Sequence, residues 1–218
     1  MMLTDRDKAI IKDLNKFRVM DRDSIAELHF LGKKNPKYAA NNVLLRLFRD
    51  GQIQRSQAYV PFLYFGPEVQ IKKDSQKIIH FLSILNVYKE LTHLGELGTF
   101  LVEPKYGRKG DCAEPDIFCQ YRNTSFFVEV QRTVYSEKLM NEKLKRYVAL
   151  YGSGIIARDP FPHILILSDQ RYALDGDYPF KVFQAESFTK FVNSLRQPEQ
   201  PKKAMPTIKH VKVKINVG

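Results

Sequence analysis

The chain has 218 residues, of which 44% are hydrophobic and 12% aromatic, so it can bury the core of one large domain or two small ones. This composition excludes disorder along the whole length. The formal net charge of +11 favours a polyanionic partner, nucleic acid ahead of a membrane surface. Two cysteines without a zinc-ligand spacing, and an amino terminus without an apolar signal segment, predict a cytoplasmic protein with reduced thiols.

The first third of the chain predicts three short helices followed by a β-hairpin. Thr4 can cap the first helix, and DRDSIAELHF forms the second. Asn35 can cap the third, with Pro36 at its first position and Gly51 at its end. The stretch IQRSQAYVPFLYFG then alternates as a hairpin does. This is the order of a winged helix-turn-helix, so we predict a DNA-binding domain over residues 1–68.

The third helix carries the side chains that would contact DNA. Amides and guanidinium groups reach base edges in the major groove, and lysines reach phosphates. A solvated helix in a small helical domain, or a winged helix that binds protein, remains an alternative. The predicted DNA contacts are Lys37, Tyr38, Asn41, Asn42, Arg46 and Arg49 on the outer face of the helix, and Arg55 on the wing.

A polar joint over residues 69–75 leads into a second unit, residues 75–196. It starts with a long amphipathic helix, SQKIIHFLSILNVYKELTHL, and a strand, TFLVEP. We expect the inner face of that helix to consist of Ile79, Leu82, Leu85, Val87 and Leu91.

The segment EPDIFCQYRNTSFFVEVQR predicts a hairpin with a two-residue turn at Arg122 and Asn123. In that register Asp116 lies opposite Glu129 on the neighbouring strand. Adjacent carboxylates repel each other at neutral pH, and a divalent cation would remove that repulsion. Hard oxygen ligands suit Mg²⁺ or Mn²⁺, so the pair predicts a metal site.

The rest of the unit completes a small mixed sheet flanked by helices, so the fold class is α/β, or α+β for the whole chain. HILILSD is typical of a buried parallel strand, and residues 180–196 give a strand and a helix. The helix SEKLMNEKLKRYVALY precedes them, and its expected inner residues are Leu139, Leu144, Tyr147 and Val148.

The pair PD at 115–116, followed by EVQ at 129–131 between a long helix and an α-β unit, resembles the PD-(D/E)xK nuclease fold. Together with the N-terminal helices, the chain resembles the replication-relaxation family of plasmids and other mobile elements over about residues 5–190. The segments that carry this resemblance are HFLSILNVYKEL, EPD, FFVEVQRT, EKLKRYVALY and HILILSDQR.

The resemblance implies that Asp116 and Glu129 hold a metal ion that activates water at the scissile phosphate. The third position of the motif is normally Lys, but here it is Gln131, which has no charge and cannot act as an acid or base. Lys143 on the following helix can supply a cation from another direction. His80 either lines the same cleft or packs in the core.

Because of Gln131, the sequence favours a DNA-binding protein whose nuclease-like domain has lost activity, acting in replication or mobilisation of a plasmid, phage or integrative element. The alternative is an active Mg²⁺- or Mn²⁺-dependent endonuclease or nickase. The expected partners are double-stranded DNA and replication or relaxosome proteins, without a membrane, and a homodimer is compatible with the sequence. The basic Pro- and Lys-rich tail, residues 197–218, is predicted to be a mobile arm or a DNA-tracking strand.

Overall fold

A computed structural model describes residues 2–72, 75, 77–107, 110–131, 136–174 and 176–196. The predicted tail lies outside these residues. The helices are α1 (Asp5–Phe17), α2 (Arg22–His29), α3 (Pro36–Arg49), α4 (Lys77–Leu94), α5 (Glu137–Ser153) and α6 (Phe188–Arg196). The strands are β1 (Val19–Asp21), β2 (Gln54–Ser56), β3 (Leu63–Phe65), β4 (Leu97–Val102), β5 (Ile117–Tyr121), β6 (Thr124–Val130), β7 (His163–Leu167) and β8 (Val182–Ala185).

The N-terminal part combines α1, α2 and α3 with a three-stranded antiparallel sheet of order β1-β3-β2. The predicted caps are confirmed: Thr4 accepts from the third helical N–H of α1, and Asn35 accepts from the Tyr38 N–H at the start of α3. Strand β1 was not predicted, because three residues between two helices carry no periodicity of their own. It pairs with β3 and fixes the β2–β3 hairpin against the helices.

The second part is a five-stranded mixed sheet of order β4-β5-β6-β7-β8. The pairs β4–β5 and β5–β6 are antiparallel, whereas β6–β7 and β7–β8 are parallel. The predicted α/β class with a small mixed sheet is confirmed. Helices α4 and α6 pack with the even-numbered side chains of β6, and α5 packs with the odd-numbered ones.

One hydrophobic cluster joins the two parts of the chain. Phe17 at the end of α1 lies 4.9 Å from the ring centroid of Tyr88 on α4 and 6.1 Å from that of Phe100 on β4. The ammonium of Lys16 lies 4.7 to 5.1 Å from the centroids of these three rings. The N-terminal helices therefore share one hydrophobic core with the five-stranded sheet.

Three predicted core residues are wrong. Ile79 on α4 is half exposed, while its neighbour Ile78 is fully buried. Leu139 and Val148 on α5 are also exposed, and Met140 and Leu150 occupy the core instead. Helix α4 carries apolar residues almost all round, and α5 has apolar residues directly beside its buried stripe, so periodicity alone does not fix which of them face the sheet.

Cys112 and Cys119 are free and buried. Within the described ranges, no helix combines the length and apolarity needed to cross a bilayer.

Candidate functional site

The β5–β6 hairpin has the register that the sequence predicts. Arg122 and Asn123 form its turn with φ of 46° and 60°, the left-handed values that a two-residue turn of this kind needs. The paired residues run from Tyr121 opposite Thr124 to Ile117 opposite Val128. One further step along the same register sets Asp116 against Glu129, so the two carboxylates come from directly neighbouring backbone positions.

Glu129 is a buried carboxyl group with two partners on α5. The Tyr147 hydroxyl donates a hydrogen bond of 2.5 Å to Glu129 Oε1, and the Lys143 ammonium contacts Oε2. Lys143 and Tyr147 are four residues apart and so project from the same side of the helix. Only 1% of Glu129 is exposed. Burial raises its pKa to about 8, against the opposing charge of Lys143 and with a further upward contribution from Asp116.

Asp116 is held from two directions at the start of β5. Its Oδ2 accepts a hydrogen bond of 2.8 Å from the Val130 backbone N–H, and its Oδ1 lies 3.4 Å from Nε2 of His80 on α4. Burial acts to raise the pKa of Asp116, but the His80 hydrogen bond, the charge of Lys143 and the Val130 N–H together leave it below its usual range. Asp116 therefore ionises readily, whereas Glu129 tends to keep a proton unless a cation binds, because a carboxyl group must lose its proton to act as a metal ligand.

His80 belongs to this site and is not a purely structural core residue. The hydrogen bond to Asp116 raises the pKa of His80, partly offset by burial. The acidic pair is thus flanked by two nitrogen groups, His80 from α4 and Lys143 from α5, on opposite sides of the sheet end.

Gln131 and Lys143 occupy different places. Gln131 follows β6 and lines a polar cleft with Ser83 and Asn86 of α4. Lys143 instead reaches Glu129 from α5 and borders, with Arg146, a surface cavity of about 390 Å³. The cation beside the carboxylates therefore comes from the helix after β6 and not from the strand position where the nuclease motif places it.

Asp116 and Glu129 are of the ligand type that suits a divalent cation with several water ligands. Asp116 and Glu129 offer carboxylate oxygens, and Mg²⁺ commonly binds through one or two carboxylates plus water and phosphate oxygens. In the part of the chain that the structure describes, no group of three or more His, Cys, Asp or Glu residues is arranged to hold a metal ion. A cation here would thus depend on the two carboxylates and on the bound substrate.

The outer face of α3 exposes several of the predicted DNA contacts. Asn41, Asn42 and Arg49 are exposed, and Tyr38 is 64% exposed. The ammonium of Lys37 lies 2.7 Å from Oδ2 of Asp23 on α2. Because both groups of this pair are largely solvated, the ion pair is weak and can exchange for a phosphate contact.

Arg46 does not lie on that outer face. Its Nη2 donates a 2.6 Å hydrogen bond to Oδ1 of Asp7, a residue of α1 that is 1% exposed. Asp7 also accepts a hydrogen bond from the Thr4 backbone N–H, which completes the N-terminal cap of α1. Arg46 is therefore the counter-ion of a buried carboxylate, and its assignment to the outer face of α3 is corrected.

Arg55 lies on β2 as predicted, but its side chain is packed between two rings. Its guanidinium carbon is 4.4 Å from the ring centroid of Phe48 and 4.8 Å from that of Phe62. Phe48 and Phe62 were not predicted as functional residues. Their only signal in the sequence is an aromatic residue at the end of a basic helix and another in the facing hairpin.

Comparison of the chain with protein-family models, with curated proteins and with solved structures found no match.

Proposed function

We propose that the protein binds DNA through α3 and the β2–β3 hairpin and cleaves a phosphodiester bond at the site of Asp116 and Glu129, with Mg²⁺ or Mn²⁺ as cofactor. The observation that carries this proposal is the contact between the Lys143 ammonium and Glu129. The sequence favoured an inactive domain because Gln131 replaces the usual lysine. The Lys143 ammonium from α5 supports an active site despite Gln131, since it supplies a positive charge beside Glu129.

Asp116 and Glu129 would hold the cation. When bound, it would supply a Lewis acid at the scissile phosphate and a more acidic water. The Lys143 ammonium provides positive charge where the phosphate gains negative charge. Tyr147 orients Glu129 through its hydroxyl, and His80 orients Asp116 through Nε2. Arg146 is exposed beside Lys143 and can contact a neighbouring phosphate.

The DNA-binding part of the proposal is supported by the order of its elements and by its exposed donors. Three helices, a short strand between the first two and a closing β-hairpin follow one another in the order that we expect for a winged helix-turn-helix. The face of α3 turned to solvent carries Asn41, Asn42 and Arg49, whose donors suit base edges and phosphates.

We further propose that the protein acts in replication or mobilisation of a plasmid, phage or integrative element. This setting rests on the resemblance of its segments to the replication-relaxation family. It implies supercoiled DNA as the substrate and replication or relaxosome proteins as partners.

The test is to incubate the full chain with supercoiled and with linear DNA in the presence of Mg²⁺ or Mn²⁺. We expect nicked or linear products from the wild type and none from Asp116→Ala, while both proteins retard DNA equally in a gel. Asp159→Ala is the matched control, because Asp159 is an exposed aspartate between α5 and the start of β7, at the other end of that strand. It should cut at the wild-type rate.

Two results would overturn the cleavage proposal. One is intact DNA under all metal conditions with binding retained, which would favour a scaffold or regulator. The other is cleavage that survives in Asp116→Ala, which would reveal a contaminating nuclease.

A further inference from the structure

A cavity of about 380 Å³ lies between α3 and the β2–β3 hairpin, on the face that we propose for DNA. Its volume is at the lower end of the roughly 300–1,000 Å³ found for small-molecule sites. Its walls include Asn41 and Leu45 from α3, Arg55 from β2, and Val60, Phe62 and Tyr64 from the hairpin. A cavity of this size can hold one small planar group.

The polar groups in the cavity suit the edge of a nucleobase. Nε of Arg55 is buried without a hydrogen-bond partner among the described residues, although the guanidinium group interacts with the Tyr64 side chain in the same cavity wall. An unsatisfied buried donor is costly, and a ligand acceptor would remove that cost. Asn41 adds an amide that both donates and accepts. Asparagine and arginine are the side chains that pair with adenine and guanine edges.

The apolar groups in the cavity suit the face of a nucleobase. Phe62 is 38% exposed and Val60 is 98% exposed, which leaves an apolar hairpin tip in solvent beside a basic helix. Arg55 stacks between Phe48 and Phe62 and so holds the Phe62 ring in place. Stacking of a base on an aromatic ring contributes about 1–3 kcal/mol.

We infer that this cavity binds an unpaired nucleobase of the DNA that lies along α3. The inference rests on the proposed DNA binding but not on cleavage. A fully paired duplex cannot place a base between α3 and the hairpin, because the base remains stacked in the helix. The protein therefore prefers DNA in which one base is already extruded, as in a bulge or a locally melted site.

The experiment compares two duplexes of the same sequence, one fully paired and one with a single bulged 2-aminopurine. Affinity is measured for both by fluorescence anisotropy without divalent metal, so that no cleavage occurs. We expect about tenfold tighter binding to the bulged duplex, the value of one stacked base. The emission of 2-aminopurine should fall on binding, because stacking on Phe62 quenches it.

Asn41→Ala and Asn42→Ala form a matched pair, since both residues are exposed on α3 but only Asn41 lines the cavity. In Asn41→Ala and Phe62→Ala, the ratio of the affinity for the bulged duplex to that for the paired duplex should fall towards one. Phe62→Ala should also lose the quenching of 2-aminopurine. Asn42→Ala should lower affinity for both duplexes equally and keep the ratio. Thermal melting of each variant checks the fold.

Equal affinity of the wild type for the two duplexes would overturn the inference and leave DNA binding intact. A preference that Asn41→Ala and Phe62→Ala both retain would also overturn it. No binding to either duplex would overturn the DNA-binding proposal together with it.

Discussion

The outer face of α3 and the end of the β5–β6 hairpin handle charge in opposite ways. On α3, Arg49 and Lys37 lie in solvent, where water and salt weaken every interaction they make. At the hairpin, Glu129 is buried with Lys143 and Tyr147, and Asp116 is clamped by His80 and a backbone N–H. The first arrangement suits binding that is reversible and depends on salt. The second suits chemistry at one fixed point.

The two regions also differ in their effect on the free energy of folding. Solvated cations cost little stability, whereas a buried carboxylate raises the free energy of the folded state unless a partner compensates. Glu129 is such a group, buried and held by Lys143 and Tyr147. Such a cost is typical of a functional site.

The largest expected effect concerns Lys143. Lys143→Met removes the ammonium from Glu129, and we expect single-turnover DNA cleavage to slow by about 100-fold, as for other losses of a transition-state donor. Lys145→Met is the control, because Lys145 is exposed on the same helix. Equal cleavage rates for the two variants would show that Lys143 takes no part in catalysis and that its contact with Glu129 is structural.

Arg46→Met tests the one arginine of α3 that we assign to the fold. It leaves the Asp7 carboxylate buried without its counter-ion, so we expect the free energy of unfolding to fall by about 3 kcal/mol. Urea denaturation measures this change. Arg49→Met, on the exposed face, should change it by less than about 0.5 kcal/mol. A small effect of Arg46→Met would show that Asp7 does not need the pairing.

Glu129→Gln tests the cost of burying the carboxyl group as a function of pH. The pKa of Glu129 is raised to about 8 from an unfolded value near 4.5, so the folded state binds the proton more tightly. Its contribution to stability is therefore fully present below pH 4.5 and is lost as the pH rises to about 8.

The variant has no such loss, so it should be more stable than the wild type at pH 8, by about 4 kcal/mol, and nearly equal at pH 4.5. Denaturant unfolding at the two pH values measures this. Glu142→Gln, an exposed site on α5, serves as the control and should show no such trend. If the stability difference between Glu129→Gln and the wild type grew towards low pH instead, the pKa of Glu129 would be lowered by folding and not raised.

The smallest effect concerns Arg49 and Lys37 on α3. Arg49→Ala should weaken DNA binding a few-fold and reduce the slope of log affinity against log salt by about one. Lys37→Ala should do less, because Asp23 already competes for that ammonium. Anisotropy titrations over a range of salt concentrations measure both slopes. Unchanged slopes in both variants would mean that α3 faces something other than DNA.

Local rules predicted much of this structure. The turn at Arg122 and Asn123 fixes the hairpin register, and the register fixes the neighbours Asp116 and Glu129, so the acidic pair followed from a short stretch of sequence. The caps at Thr4 and Asn35 likewise depend only on neighbouring residues.

The remaining features depend on contacts between distant segments. Arg46 looks like a surface cation until α1 brings Asp7 beneath it, 39 residues away in the chain. Ile79 and Ile78 are equally apolar, and only the position of the sheet decides which one is buried. Tyr147 was interpreted as a packing residue, and its hydrogen bond to Glu129 requires knowledge of where α5 lies.

The shared core around Phe17, Tyr88 and Phe100 bears on the distance between the two parts of the molecule. Because α1 packs against α4 and β4, one hydrophobic core connects the part that contains α3 with the sheet that carries Asp116 and Glu129. Under the proposed function, the phosphate that reaches Asp116 would therefore lie a constant number of nucleotides from the duplex bound by α3.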